Sequence, residues 1–172
     1  DSMISMRYAR NLAEGHGLVW NVGEAPIEGF TNLGWTLYMA LAHQFGIAES
    51  KLSLFIMLTS VVILVGNLVV GFQLSRVLNP SASLAPAMSA IACAFYFPLV
   101  FWSLRGMEVG LVAVVVLSLV WLALRVEAEG VAPKVVVALC VVAAVGLLTR
   151  DDVLVPVVVG GAWLAWRVGG GT

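Results

Sequence analysis

Five charged side chains interrupt the apolar second half of this sequence at two short turns, and they are its strongest candidates for chemistry: Arg105, Glu108, Arg150, Asp151 and Asp152. The neighbouring uncharged runs are only 14 to 16 residues long. As helices they would extend about 21–24 Å, less than a hydrocarbon core of about 30 Å. Charges held below a membrane surface normally face a bundle interior or a water-filled cavity. One interpretation of the pattern is a polar cavity that these residues form together with Asp1.

A simpler alternative places the same residues at the ends of spans, where their charged groups reach the membrane surface. Arg105 and Glu108 are three residues apart, so they are spaced to pair on one helix face. Asp151 or Asp152 is placed to cap the last helix. In that case the charges stabilise the ends of helices and line no cavity.

The charge pattern as a whole indicates a membrane protein. Charged residues make up 11% of the sequence and hydrophobic residues 61%, and from Leu52 onward the charges cluster between five long uncharged runs. A soluble core of this size cannot bury five such runs, whereas a bilayer accommodates them because a helix satisfies its own backbone polar groups. The net charge of −1, without a basic stripe, argues against nucleic acid as a partner. Cys93 and Cys140 lie inside apolar runs and are interpreted as small buried hydrophobic residues.

Residues 1–51 form a first region that is richer in charge than the rest. Ser2 to Glu14 has the pattern of a short amphipathic helix. Thr31 or Asn32 is placed to cap a second short helix, at about 32–46, which is too short to span a bilayer. We expect two juxtamembrane helices in this region.

Residues 52–172 are predicted to hold about five transmembrane helices, at roughly 52–75, 84–104, 107–125, 134–149 and 152–168. The fold class is therefore an all-α polytopic membrane bundle. Because successive spans cross in opposite directions, the turns at 102–108 and 149–152 are predicted on the same side as the first region. Basic residues divide five to four between the two sides, so the positive-inside rule gives no orientation, whereas eight of the ten acids lie on the side of the first region. The ends of the chain lead us to expect a fragment of a longer membrane protein.

Three stretches of this chain resemble one family. DSMISMRYARNLAEGHGLVWN at the start, IEGFTN at 27–32 and Trp35 resemble the first extracytoplasmic loop of GT-C membrane glycosyltransferases. The likeness is to the branch that holds the mycobacterial terminal arabinofuranosyltransferase and the flagellar motor control proteins. Gly106 to Glu108 resembles the start of that branch's Gly-Met-Glu-Thr-Ala-Leu stretch. Leu148 to Asp151 resembles its Leu-Thr-Arg-Pro-Asp/Glu turn, with aspartate where proline is usual.

The resemblance implies a GT-C-like fold in a bacterial plasma membrane, with the first region extracytoplasmic. It implies a polyprenyl-phosphate sugar as donor and a cell-envelope glycan or lipid as acceptor. Asp1 would be the catalytic base that takes the proton of the acceptor hydroxyl. The family often shows an acidic pair at this point, and this chain shows only Asp1.

The departing polyprenyl phosphate requires a cation, and arginine suits it because its charge is permanent and its donors form a fork. The candidates are Arg150, Arg105 and Arg7. Supporting or substrate-binding roles fall to Glu108, Asp151, Asp152, Arg10 and His16. The sequence predicts no cofactor; its many acids would allow a divalent metal, but no ligand spacing argues for one.

Two other functions are compatible with a polar cavity in a membrane bundle. A transporter would need a polar path that continues to the opposite side, where polar residues are sparse. A non-catalytic membrane scaffold is allowed by the resemblance to motor control proteins.

Overall fold

All regular secondary structure in the described chain is helical. The computed structural model describes residues 2–169, and it contains no β-strand in that range. Its helices are α1 (Ser2–Ala13), α2 (Leu33–Gln44), α3 (Glu49–Leu78), α4 (Ala85–Ala94), α5 (Phe97–Leu104), α6 (Val109–Glu129), α7 (Pro133–Thr149) and α8 (Leu154–Gly169), and a 3₁₀ turn (Asp151–Val153) precedes α8. The predicted all-α class is confirmed.

Three helices are long and apolar enough to cross a membrane: α3, α6, and α8 with its 3₁₀ turn. The pair α4 and α5 makes a fourth candidate if it is taken as one bent span. Helix α7 is apolar but has only 17 residues. The five predicted spans therefore correspond to three or four helices of spanning length and one shorter apolar helix.

The predicted span at 84–104 is two helices that meet at an angle of 49°. Pro98 lies in the first turn of α5. It has no N–H to donate to the carbonyl of Ala94, and its ring crowds that carbonyl, so α4 cannot continue through it. Pro86 lies in the first turn of α4, where a proline costs nothing because the first N–H groups have no helical partner.

The two short helices of the first region pack on each other and on the start of α3. Ala9 of α1, Trp35 and Met39 of α2, and Ile56 of α3 are all buried and form one apolar core. Helix α1 begins and ends within one residue of the predicted bounds. Helix α2 begins after Asn32, but the side chain of Asn32 does not cap it.

A second apolar core, around Val115, Leu119 and Val153, joins α6 to α7 and α8. Helices α3 and α6 are also tied by a polar contact. The buried side-chain amide of Asn67 donates to the carbonyl of Gly110 at 2.9 Å. Such interhelical bonds typically contribute about 0.6 kcal/mol in a membrane bundle.

Helix α2 packs closely against the end of α7 at Gly34. A Cβ at Gly34 would lie 2.8 Å from the carbonyl oxygen of Leu148. Because that atom belongs to the backbone, it cannot rotate away, and Gly34→Ala is expected to destabilise the protein by about 1–3 kcal/mol. The midpoint of thermal unfolding in detergent measures the effect. Gly160→Ala on α8 is the matched control, since a Cβ there meets nothing within 4 Å. An unchanged midpoint for Gly34→Ala would contradict this close packing.

Candidate functional site

Segments far apart in the sequence meet at one end of the bundle. The hydroxyl of Ser2 donates to the carbonyl of Arg105 at 2.8 Å, which joins α1 to the turn between α5 and α6. The indole N–H of Trp35 donates to the carbonyl of Gly106 at 2.9 Å, which joins α2 to the same turn. Gly106 has a φ of +82°, a conformation that glycine adopts without strain. The structure thus brings α1 and α2 of the first region to the turn between α5 and α6.

Glu108 is the most buried charge of this end, with only 3% of its surface exposed. One carboxylate oxygen accepts a hydrogen bond from Nη1 of Arg150 at 3.0 Å. The other accepts from Nδ2 of Asn32 at 2.8 Å. The amide oxygen of Asn32 in turn accepts from the hydroxyls of Ser5 and Thr36, at 3.0 and 3.1 Å. Because these donors fix the orientation of Asn32, Glu108 is held from both sides.

Arg150 lies between α7 and the 3₁₀ turn, where the backbone is extended. Its guanidinium binds two carboxylates at once: Glu108, and Asp152 through Nε and Nη2 at 3.1 and 2.8 Å. These hydrogen bonds, first to Asp152 and then to Glu108, raise the pKa of Arg150 above its usual value. An arginine has five N–H groups. Two, one on each terminal nitrogen, therefore remain available to a ligand.

A polar pocket of about 200 Å³ opens beside this ion pair. Its lining includes Ser2 and Ser5 of α1, Asn32, Glu108 and Arg150. Asp1, the predicted catalytic base, lies outside the described residues, and the sequence places it next to Ser2. Of the residues predicted to form one polar cavity, Glu108 and Arg150 line this pocket, whereas Arg105, Asp151 and Asp152 do not, and the role of Asp1 as base stays a prediction.

Comparisons with known protein families, with characterised proteins and with solved structures each return no match. The cation of the pocket is Arg150, which faces the carboxylates of Glu108 and Asp152. A guanidinium that is one-third exposed and keeps unused donors binds phosphate or carboxylate oxygens well. Among residues 2–169, no group of three or more His, Cys, Asp and Glu side chains is arranged to hold a metal ion.

Arg105, the cation of the turn between α5 and α6, does not join the ion pair. Its guanidinium lies 4.3 Å above the ring of Phe101, and its side chain borders a neighbouring apolar groove. The alternative in which Arg105 pairs with Glu108 is therefore wrong, because Glu108 turns to Arg150 instead. Asp152 likewise directs its carboxylate to Arg150, and Asp151 is exposed.

Three further candidates lie away from the pocket. Arg7 donates to the carbonyl of Trp20 at 2.9 Å and stacks on its ring, so it holds the loop that follows α1. Arg10 pairs with Glu14 at 2.8 Å and with Glu49 at 3.1 Å. The hydrogen bond from Arg10 lowers the pKa of Glu14.

His16 is exposed and lies 3.8 Å from Glu14. Neither it, Arg7 nor Arg10 lines the polar pocket. The structure gives them contacts outside this pocket, and their predicted supporting roles stay predictions.

The residue that sequence reasoning missed is Asn32. Its position before a helix made it a candidate cap, which explains its polarity locally. Only the fold shows that it instead holds a carboxylate 76 residues away. The sequence signal that was present is its place in the IEGFTN stretch of the resemblance.

Proposed function

We propose that this chain belongs to a GT-C-type membrane glycosyltransferase. It would transfer a sugar from a polyprenyl-phosphate donor to a cell-envelope glycan or lipid at the extracytoplasmic face. The supporting observation is that the three sequence stretches of the resemblance converge on one pocket. The first supplies Ser2, Ser5 and Asn32, the second Glu108 and the third Arg150.

In this proposal each charge has one role. Asp1 takes the proton from the acceptor hydroxyl as that oxygen attacks the sugar. The bond from the sugar to the donor phosphate breaks, and arginine donors stabilise the charge that develops on the phosphate. Glu108 and Asp152 hold Arg150 in place between them. Both oxygens of Glu108 are already hydrogen bonded, which favours this positioning role over that of the base.

The rest of the bundle favours a site on one side over a transport path. Between α6, α7 and α8 lies a cleft of about 550 Å³. Its lining is apolar and includes Leu119, Leu139, Val157 and Leu164. A polar solute crossing here would lose hydration without gaining hydrogen bonds.

The test uses membranes from cells that express the complete gene. A polyprenyl-phosphate-linked radiolabelled arabinofuranose is the first donor, and membranes that lack the gene are the control. Label should move to an endogenous glycan or lipid, with release of polyprenyl phosphate. If a panel of polyprenyl-phosphate sugars is left unconsumed, the proposed activity is wrong. Solute uptake into proteoliposomes without sugar transfer would favour a transporter.

A topology prediction belongs to the same proposal. Single cysteines at the exposed positions Glu28 and Asp151 should react with an impermeant thiol reagent from outside intact cells. A cysteine at Val131, between α6 and α7 and 60% exposed, should react only after permeabilisation. The background is Cys93→Ser with Cys140→Ser. Opposite accessibility of Glu28 and Asp151 would contradict the arrangement.

A further inference from the structure

The bend between α4 and α5 leaves three neighbouring polar groups without hydrogen-bond partners. Pro98 has no N–H, so the carbonyl of Ala94, four residues earlier, lacks its helical donor. Within the described range 2–169, the carbonyl of Phe95 accepts no hydrogen bond, and the hydroxyl of Tyr96 makes none. One donor and two acceptors therefore lie together at the bend.

The bend faces out of the bundle. The side chains of Phe95, Tyr96 and Phe97 are 83%, 59% and 69% exposed. If α4 and α5 cross the membrane as one bent span, the eight residues of α5 place the bend about 12 Å from the turn at Arg105. A hydrocarbon core is about 30 Å thick, so the three polar groups would lie well inside it.

Lipid cannot satisfy these groups, because acyl chains offer no hydrogen bonds. Irregular backbone at membrane depth occurs only where protein or a water-filled cavity covers it. Helix α8 is different, although its outer face is equally exposed at Val155, Val158 and Val159. It runs without a break from Leu154 to Gly169, so its own backbone bonds are made and lipid is a suitable neighbour. The bend, in contrast, requires a protein neighbour.

We infer that a second copy of this chain covers the bend, in a two-fold symmetric dimer. A two-fold axis pairs one patch with the same patch on the other copy. Such a patch must supply both donors and acceptors, and the bend does: the hydroxyl of Tyr96 can donate, and the carbonyls of Ala94 and Phe95 can accept. The inference depends on α4 and α5 forming one span, and it is independent of the proposed sugar transfer.

An exposed apolar surface continues from the bend along α4. Met88, Ile91 and Phe95 follow one another at intervals of three and four residues, which places them on one face of that helix, and all three are exposed. Phe97 adds a further exposed ring beyond the bend. The copies therefore have apolar side chains to pack around the polar centre.

Self-association is measured by energy transfer between labelled copies of the complete gene product, in lipid vesicles at a series of protein-to-lipid ratios. Tyr96→Phe keeps the ring and removes the hydroxyl. It should raise the dissociation constant about 5- to 10-fold, because symmetry removes two interhelical hydrogen bonds. Tyr38→Phe is the matched control. It loses a hydroxyl that bonds Thr59 within one chain at 2.6 Å, so it should associate as the parent does.

Cross-linking locates the interface. In a background of Cys93→Ser with Cys140→Ser, Phe95→Cys should form a disulfide-linked dimer when membranes are oxidised. Val159→Cys on α8 is the control, since it is 63% exposed and faces lipid in this arrangement, and it should stay unlinked.

The dimer is rejected if the parent stays monomeric at every protein-to-lipid ratio, or if Tyr96→Phe associates as tightly as the parent. It is also rejected if Phe95→Cys links no better than Val159→Cys. A disulfide from Phe95→Cys to a different polypeptide would show that another membrane protein covers the bend. Neither measurement uses a sugar donor, so a failed transfer assay would leave a confirmed dimer standing.

Discussion

Replacing Asp1 with asparagine in the complete gene product is expected to lower sugar transfer by about 10²- to 10⁴-fold, the usual cost of losing a general base. Asparagine matches aspartate in shape and is an equally good N-cap, so the helix that begins at Ser2 keeps its stability. It cannot accept a proton from the acceptor hydroxyl. The turnover rate with donor and acceptor in excess is the measurement that reports this step.

The control for Asp1→Asn is Glu28→Gln, which removes an exposed acid from the same region and should leave transfer unchanged. Expression and membrane insertion should match the parent in both variants. If Asp1→Asn transfers at nearly the parent's rate, Asp1 is only a helix cap and the base is another acid.

Local rules were enough to predict the elements of the first region. The amphipathic pattern of Ser2 to Glu14 gives α1 within one residue, because its polar face stays exposed while Tyr8 and Ala9 are buried. A helix near 32–46 follows equally from its apolar composition. The position of the break at Pro98 is also a local matter, since a missing N–H acts on a carbonyl four residues earlier. The run at 84–104 is otherwise apolar and was predicted as one span. The effect of Pro98 on the preceding turn divides it into two helices.

Local rules could not predict contacts between residues that are distant in sequence. Glu108 has Arg105 three residues away, and a pair on one helix face was one of the two alternatives. The chain instead ends α5 and turns at Gly106, which separates the two side chains, and α7 delivers Arg150 from 42 positions further on. Asn32 arrives from 76 positions earlier because α2 packs between α1 and the end of α7. Which charges meet is therefore decided by helix packing, on which a single sequence carries little information.

The pair of Glu108 with Arg150 should prove strongly coupled in stability. Glu108→Gln keeps an acceptor for Asn32 but removes the charge that faces the guanidinium. Removing one partner of a buried pair costs about 3–5 kcal/mol. The side chain of Arg150 is 34% exposed, and in Glu108→Gln it still pairs with Asp152. We therefore expect a smaller loss of stability, about 2–3 kcal/mol, which is within the range for leaving a charged group without one hydrogen-bonding partner.

A double-mutant cycle isolates the coupling. The free energies of unfolding of Glu108→Gln, Arg150→Met and the double variant are compared in detergent, and the double variant should lose about 1–2 kcal/mol less than the sum of the single changes. The matched control is the Arg10 and Glu14 pair, whose side chains are 52% and 44% exposed. Solvent screens that pair, so its cycle should show almost no coupling.

The same variants test the positioning role of Glu108 in transfer. Arg150→Lys keeps the charge, but an ammonium group cannot bridge both carboxylates with the geometry of a guanidinium. It should therefore lower turnover while changing stability less than Arg150→Met does. Strictly additive stability changes for Glu108→Gln and Arg150→Met would show that the two side chains do not support each other. If Arg150→Lys turns over at the parent's rate, the bidentate guanidinium of Arg150 is not needed for transfer. Arg105 is then left as the phosphate ligand.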